Sequence, residues 1–242
     1  MTVSSLENKV AIVTGASRGL GRAAARALAG AGARVVASAR TQWQLETLLA
    51  DLPGGRQRHL AAAVDVSNEG QIRSLVEQTL DSYGRVDILV NNAGYNRPRP
   101  FEQVTTADVD DIIGINLRGL ILCAHAVYPH MVAQQSGIIV NVGSVLSTKA
   151  VAENSIYCAT KFAVLGFSRA LMIEAKQDNI RVIAFLPGGM DTSWYDDRPE
   201  FDSSWLMKPD AVAEVLLHTV TAPASLVTYE IVVAPETGGS WP

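Results

Sequence analysis

The chain has only two cysteines, Cys123 and Cys158, in 242 residues. That excludes a disulfide framework, and the pair suggests no metal site. Charge is also sparse: 18% of residues are charged, and the net charge of −4 comes with no basic run. A nucleic-acid surface therefore has no support. No hydrophobic stretch approaches the roughly 20 residues of a membrane span. The N-terminus lacks a signal peptide's charged start and long apolar stretch; its apolar run, Val10 to Val13, is a strand's length. The expectation is a soluble, cytoplasmic protein that binds neither membrane nor nucleic acid. What the chain does have is apolar content, 48% hydrophobic, in a length that suits one domain with a full core.

Strand and helix patterns alternate throughout, with no linker, repeat or low-complexity segment. Strands are expected at 9–14, 33–38, 59–64, 86–90, 138–142, 180–186 and 228–234. Helices are expected at 22–31, 42–51, 67–83, over most of 105–135, from the region of Tyr157 to about Lys176, and at 209–220. Pro53-Gly54-Gly55 should break the chain after the second helix, and Ser67 or Asp65 should cap the third. The alternation predicts an α/β fold, a doubly wound parallel sheet of about seven strands with helices on both faces.

Thr14-Gly15-Ala16-Ser17-Arg18-Gly19-Leu20-Gly21 follows an apolar strand and opens an alanine-rich helix. Free backbone N–H groups and a helix dipole suit a pyrophosphate there, and glycines let the backbone approach closely. The second strand ends at Ala39-Arg40, where an acid would bind a ribose 2′-hydroxyl. Arginine in that place, with Arg18 in the loop, favours a 2′-phosphate and hence NADP(H) over NAD(H). Asn91-Asn92-Ala93-Gly94 ends the fourth strand, where paired amides tie neighbouring strands or line a cofactor cleft. Asn116 lies among apolar helical residues, as a satisfied core amide or at a local break of the helix. Ser144 lies just past the fifth strand, at the cleft edge of a doubly wound sheet.

Tyr157 and Lys161 are four residues apart in a helical stretch and so share one face. An ammonium beside a phenol favours the phenolate, giving a proton donor and acceptor for work near neutral pH. Cys158 is rotated off that face and reads as a buried thiol.

Together these residues resemble the short-chain dehydrogenase/reductase family over nearly the whole chain. The motifs fall in the family's order: Thr14-Gly15-x-x-x-Gly19-x-Gly21, Asn91-Asn92-Ala93-Gly94, Asn116, Ser144, Tyr157-x-x-x-Lys161, then Pro187-Gly188-x-x-x-Thr192. The resemblance implies a Rossmann-type single domain over 1–242. It also implies a cofactor half of about 1–143 and a catalytic and substrate half of about 144–242. By resemblance, Tyr157 is the general acid or base, Lys161 assists it and binds the nicotinamide ribose, Ser144 orients the substrate oxygen, and Asn116 holds a relay water. Gly15, Ser17, Arg18, Gly19, Leu20, Gly21 and Arg40 would hold the nucleotide's phosphates and ribose. Asp65 and Val66 would meet the adenine. Asn92, Ala93, Gly94, Pro187, Gly188, Met190 and Thr192 would lie along the rest of NADP(H). Leu146, Gly189 and Trp194 would join Ser144 and Tyr157 in the substrate pocket, under a lid at 190–208.

The implied reaction is hydride transfer between NADPH and a ketone or aldehyde of small or medium size, or the reverse. Reduction of 3-oxoacyl groups on acyl carrier protein is the alternative. Basic residues common in such reductases are replaced here by Gln135 and Ile173, and the lid carries acids. A non-catalytic NADP(H)-binding regulator would usually lack the tyrosine or lysine. The family's habit also implies a homo-oligomer, tetramer or dimer.

Overall fold

The computed structural model describes residues 5–192, 204–223 and 225–236. Among them, seven strands form one parallel sheet: β1 (Val10–Thr14), β2 (Arg34–Ala39), β3 (Leu60–Ala63), β4 (Ile88–Asn91), β5 (Gly137–Val142), β6 (Ile180–Pro187) and β7 (Glu230–Val233). Their spatial order is β3-β2-β1-β4-β5-β6-β7. This is the doubly wound parallel sheet expected from the alternation, in the Rossmann-type single domain that the resemblance implies.

Alternation along each strand divides the core in two. Ala11 and Val13 of β1 join Val35 and Ala37 of β2 under α1 (Gly19–Gly30), α2 (Gln42–Asp51) and α8 (Pro209–Val220). Val10, Ile12 and Val36 face the other way, under α4 (Glu69–Tyr83), α6 (Leu120–Gln134) and α7 (Ser155–Ala175). Residues buried on both faces explain why β1 reads as a continuous apolar run.

Several local expectations change. α2 ends at Asp51 and the chain breaks at Pro53-Gly54 as expected, but an unforeseen four-residue helix, α3 (Gly55–Arg58), follows. Neither Ser67 nor Asp65 caps α4. Asn68 does, accepting from Gln71 N, while Asp65 Oδ1 accepts from the backbone and hydroxyl of Ser67 in a turn of its own. The stretch 105–135 is α5 (Thr106–Ile113), a π-helical segment (Gly114–Gly119) and α6. Asn116 lies inside the π segment, where the regular hydrogen-bond ladder is interrupted.

One absence does not hold. Thr106–Gln134 and Ser155–Asp178 are each long and apolar enough to cross a membrane by length and composition. Both helices pack against the sheet. Leu120, Cys123, Ala124, Val127 and Met131 of α6 are buried, as are Val164, Leu165 and Ser168 of α7.

Candidate active site

The sheet reverses its winding between β1 and β4, which pair in register from Ala11↔Ile88 to Val13↔Val90. Strand connections diverge there and leave a crevice at the C-terminal edge. Thr14 and Asn92 build its floor. Thr14 Oγ1 accepts from Asn92 N and Ala93 N, each at 3.0 Å. Asn92 Nδ2 donates to the Thr14 carbonyl at 3.0 Å and the Gly15 carbonyl at 3.3 Å. Its neighbour Asn91 faces the other way, donating to Asn141 Oδ1 at 3.0 Å and to the Leu120 carbonyl at 3.1 Å. Asn91 therefore ties β4 to β5, while Asn92 lines the crevice.

The glycine loop is close-packed. A Cβ on Gly15, at φ +66°, would lie 2.9 Å from Ala93 Cα, and one on Gly21 would lie 2.3 Å from the Gly15 carbonyl oxygen. Gly21 therefore packs beneath the loop and does not line the crevice, unlike the other glycines of the motif. α1 opens at Gly19 without a side-chain cap, so its first-turn N–H groups have no side-chain cap at the crevice wall.

The resulting cleft has a volume of about 710 Å³. Gly15, Ser17, Arg18, Gly19, Leu20, Arg40, Asp65 and Val66 line one end; Asn92, Ala93, Gly94, Pro187, Gly188, Met190 and Thr192 follow. At the other end are Ser144, Leu146, Tyr157, Lys161 and Gly189. Trp194 falls outside the described residues, as does most of the expected lid. Trp205 lines the cleft, together with Asn96 and Asn154.

The polar groups around Tyr157 are held individually. Lys161 is 4% exposed, and its Nζ donates to the Val142 carbonyl at 2.9 Å. Burial pulls its pKa down from the ordinary 10.5 to about 8. The ammonium is 5.5 Å from the centre of the Tyr157 ring. Ser144 lies two residues past the end of β5 and caps a 3₁₀ turn, its Oγ accepting from Leu146 N at 3.1 Å. Asn116 is fully buried and does not reach the cleft lining. Its Oδ1 accepts from Tyr95 N at 2.7 Å, and its Nδ2 donates to the Tyr95 carbonyl at 2.8 Å and to Thr160 Oγ1 at 3.3 Å. Thr160 in turn donates to the Tyr157 carbonyl at 2.8 Å. Asn116 thus links the loop after β4 to α7. Gly94 packs against both it and the lysine: a Cβ there would be 3.7 Å from Asn116 Oδ1 and 3.8 Å from Lys161 Nζ. Cys158 is a buried free thiol.

A cleft with this floor, this helix N-terminus and this tyrosine–lysine pair invites comparison with known proteins. Residues 9–202 match the family model of short chain dehydrogenases. The chain belongs to that family. It is therefore an oxidoreductase of the short-chain dehydrogenase type. A (2S)-[(R)-hydroxy(phenyl)methyl]succinyl-CoA dehydrogenase subunit of Thauera aromatica is 34% identical, over 93% of this chain and 94% of its own. Among solved structures, a 3-ketoacyl-(acyl-carrier-protein) reductase of Brucella melitensis complexed with NADH is 32% identical, with a TM-score of 0.86 over 94% of this chain and 98% of its own. A metagenomic short-chain oxidoreductase in complex with NADP is 31% identical, with a TM-score of 0.85 over 97% of this chain and 100% of its own.

The sequence reading missed Asn154, Thr160 and the Val142 carbonyl. Asn154 had a signal: it lies three residues before Tyr157, where the helix that carries the tyrosine begins. The Val142 carbonyl had none, since every residue carries one.

Proposed function

We propose that this oxidoreductase reduces a ketone or aldehyde of small or medium size with NADPH, or oxidises the corresponding alcohol. The observation that carries the reading is the convergence of Ser144, Tyr157 and Lys161 at one end of a cleft whose other end is a glycine loop flanked by Arg18 and Arg40.

The residues fit the cofactor. Close packing around Gly15 and Gly21 keeps the loop free of side chains where a pyrophosphate would approach. Of the two solved relatives, one holds NADH and the other NADP, so the choice rests on the end of β2. There Ala39 is buried and Arg40 is exposed at the cleft. An arginine suits a 2′-phosphate, and no carboxylate ends the strand to bind a 2′-hydroxyl. When bound, NADPH supplies the hydride.

In reduction, Tyr157 gives its proton to the carbonyl oxygen and Ser144 donates a second hydrogen bond to it. The developing negative charge is met by two donors already in place. Lys161, held by Val142, presents a desolvated positive charge to the tyrosine and steadies it as the proton leaves. Asn116 ties Tyr95 and Thr160, and so fixes the wall behind the pair. The cofactor half would be about 1–143 and the catalytic half about 144–242, with a lid near 190–208.

Acyl-thioester reduction is the second reading, favoured by the names of two of the relatives. Against it, Ile173 and Gln135 stand where such reductases carry basic docking residues, and Ile173 is 79% exposed. Exposed Phe162 and Ile173 on α7 instead suit an interface between copies, as a dimer or tetramer. Two free thiols without a disulfide suit the cytoplasm.

The test is NADPH oxidation against a carbonyl panel with wild type and Tyr157→Phe. The variant should lose about 10²-fold or more in kcat while NADPH still binds. Near-normal turnover in it refutes the assignment.

A further inference from the structure

Asn154 stands at the N-cap of α7, where an asparagine normally accepts a hydrogen bond from the first turn. It makes no side-chain cap bond. Its Oδ1 accepts from Asn96 Nδ2 at 2.6 Å, and its Nδ2 donates to the Ala152 carbonyl at 2.7 Å. The residue before it is also out of the ordinary. Glu153 lies at φ 62°, in the left-handed region that disfavours residues other than glycine. Its carbonyl accepts from Arg99 N at 3.0 Å. Arg97 and Arg99 both pair with Asp108, whose carboxylate is 2% exposed. The loop after β4 and the turn before α7 are thereby locked to each other.

A missing cap and a strained backbone next to each other mark a place where local stability yields to another demand. Asn96 and Asn154 line the cleft, as do Pro98, Leu146, Val151 and Trp205; Asn154 stands at the N-cap of the helix whose first turn carries Tyr157, and Asn96 lies just after Gly94, which packs against Lys161 Nζ. None of those six lining residues is charged. Among the described residues, the charged lining groups are Arg18, Arg40 and Asp65 toward the glycine loop, and Lys161 beside the tyrosine. Each carboxamide has two N–H donors and an oxygen with two lone pairs. The two bonds above use one N–H of Asn96, and one N–H and one lone pair of Asn154. The pair therefore retains both donors and acceptors. A hydroxyl uses both kinds, a carboxylate only the donors, and a methyl group neither.

We propose that Asn96 and Asn154 are a substrate-recognition pair for a neutral hydroxyl next to the reacting carbon, so that the enzyme's substrates are hydroxy ketones and vicinal diols. The inference rests on the carbonyl–alcohol reading above and names its substrate class.

The test compares 3-hydroxybutan-2-one with 3-methylbutan-2-one, in which a methyl replaces the hydroxyl, together with longer pairs built the same way. NADPH oxidation gives kcat/KM for each. Wild type should favour the hydroxy ketone by about 10-fold or more. Asn96→Leu and Asn154→Ser should bring the ratio close to one. Serine is itself a good N-cap, so Asn154→Ser removes the carboxamide without taking away a capping oxygen. A purely structural role would slow both ketones alike and keep the ratio, which overturns the inference. Equal kcat/KM in wild type also overturns it and leaves carbonyl reduction standing. No NADPH oxidation with any ketone overturns the reaction itself, and this inference with it.

Discussion

Lys161→Met is the substitution whose consequence follows most directly from the structure. The lysine is buried, and its pKa falls from 10.5 to about 8 because burial takes the ammonium out of water. At 1.36 kcal/mol per pKa unit, that drop makes the charged form ~3 kcal/mol costlier in the folded protein than in the unfolded chain. The folded pKa lies below the unfolded one. Between them the unfolded chain holds more protons, so this group's contribution to stability rises with pH. Its full cost is present below about pH 8 and gone above about pH 10.5. Methionine has a similar length and no charge, so the variant lacks this dependence. Urea unfolding of both proteins, from about pH 7 to about pH 10, gives the difference in stability, and other titrating groups cancel in it. Wild type should gain about 2–3 kcal/mol relative to Lys161→Met across that range. The lost hydrogen bond to Val142 shifts the whole difference by about 1–3 kcal/mol but does not tilt it with pH. Parallel pH curves would refute the reasoning, for they would mean that the ammonium is solvated in the folded protein.

The same lysine predicts that carbonyl reduction by wild type falls above about pH 8, where its positive charge is lost; a rate flat to about pH 10 in stopped-flow NADPH oxidation would contradict its role beside Tyr157. Arg40→Asp should shift the NADPH/NADH ratio of kcat/KM toward NADH by about 10-fold or more, since an acid repels a 2′-phosphate and accepts from a 2′-hydroxyl; an unchanged ratio would leave Arg40 a surface residue. Gly21→Ala places a methyl 2.3 Å from the Gly15 carbonyl oxygen, so calorimetry should find NADPH binding weakened by at least about tenfold, the loop having shifted. Unaltered affinity would show that the loop yields without cost.

Part of this protein is set by short windows of its sequence. β1, buried on both faces, appears as an unbroken apolar run, and the glycines after it mark the loop beneath α1. Tyr157 and Lys161 share a helical face because four residues make about one turn, and α8 begins at Pro209 as expected. Such features depend on local periodicity and turn chemistry. Other features need the packed sheet. Asn96 meets Asn154 across 58 positions of chain, and Lys161 finds the Val142 carbonyl across 19. Asn116 was legible as an amide in an apolar helix, but its partners Tyr95 and Thr160 come from two other segments. Gly21 belongs to the motif, yet only the fold places it beneath the loop. The Tyr–Lys spacing puts an ammonium beside a phenol; the burial that shifts the lysine exists only once β5 and α7 close over it. Hydrogen-bond partners and desolvation depend on which distant segments come together, and a local window of sequence does not carry that information.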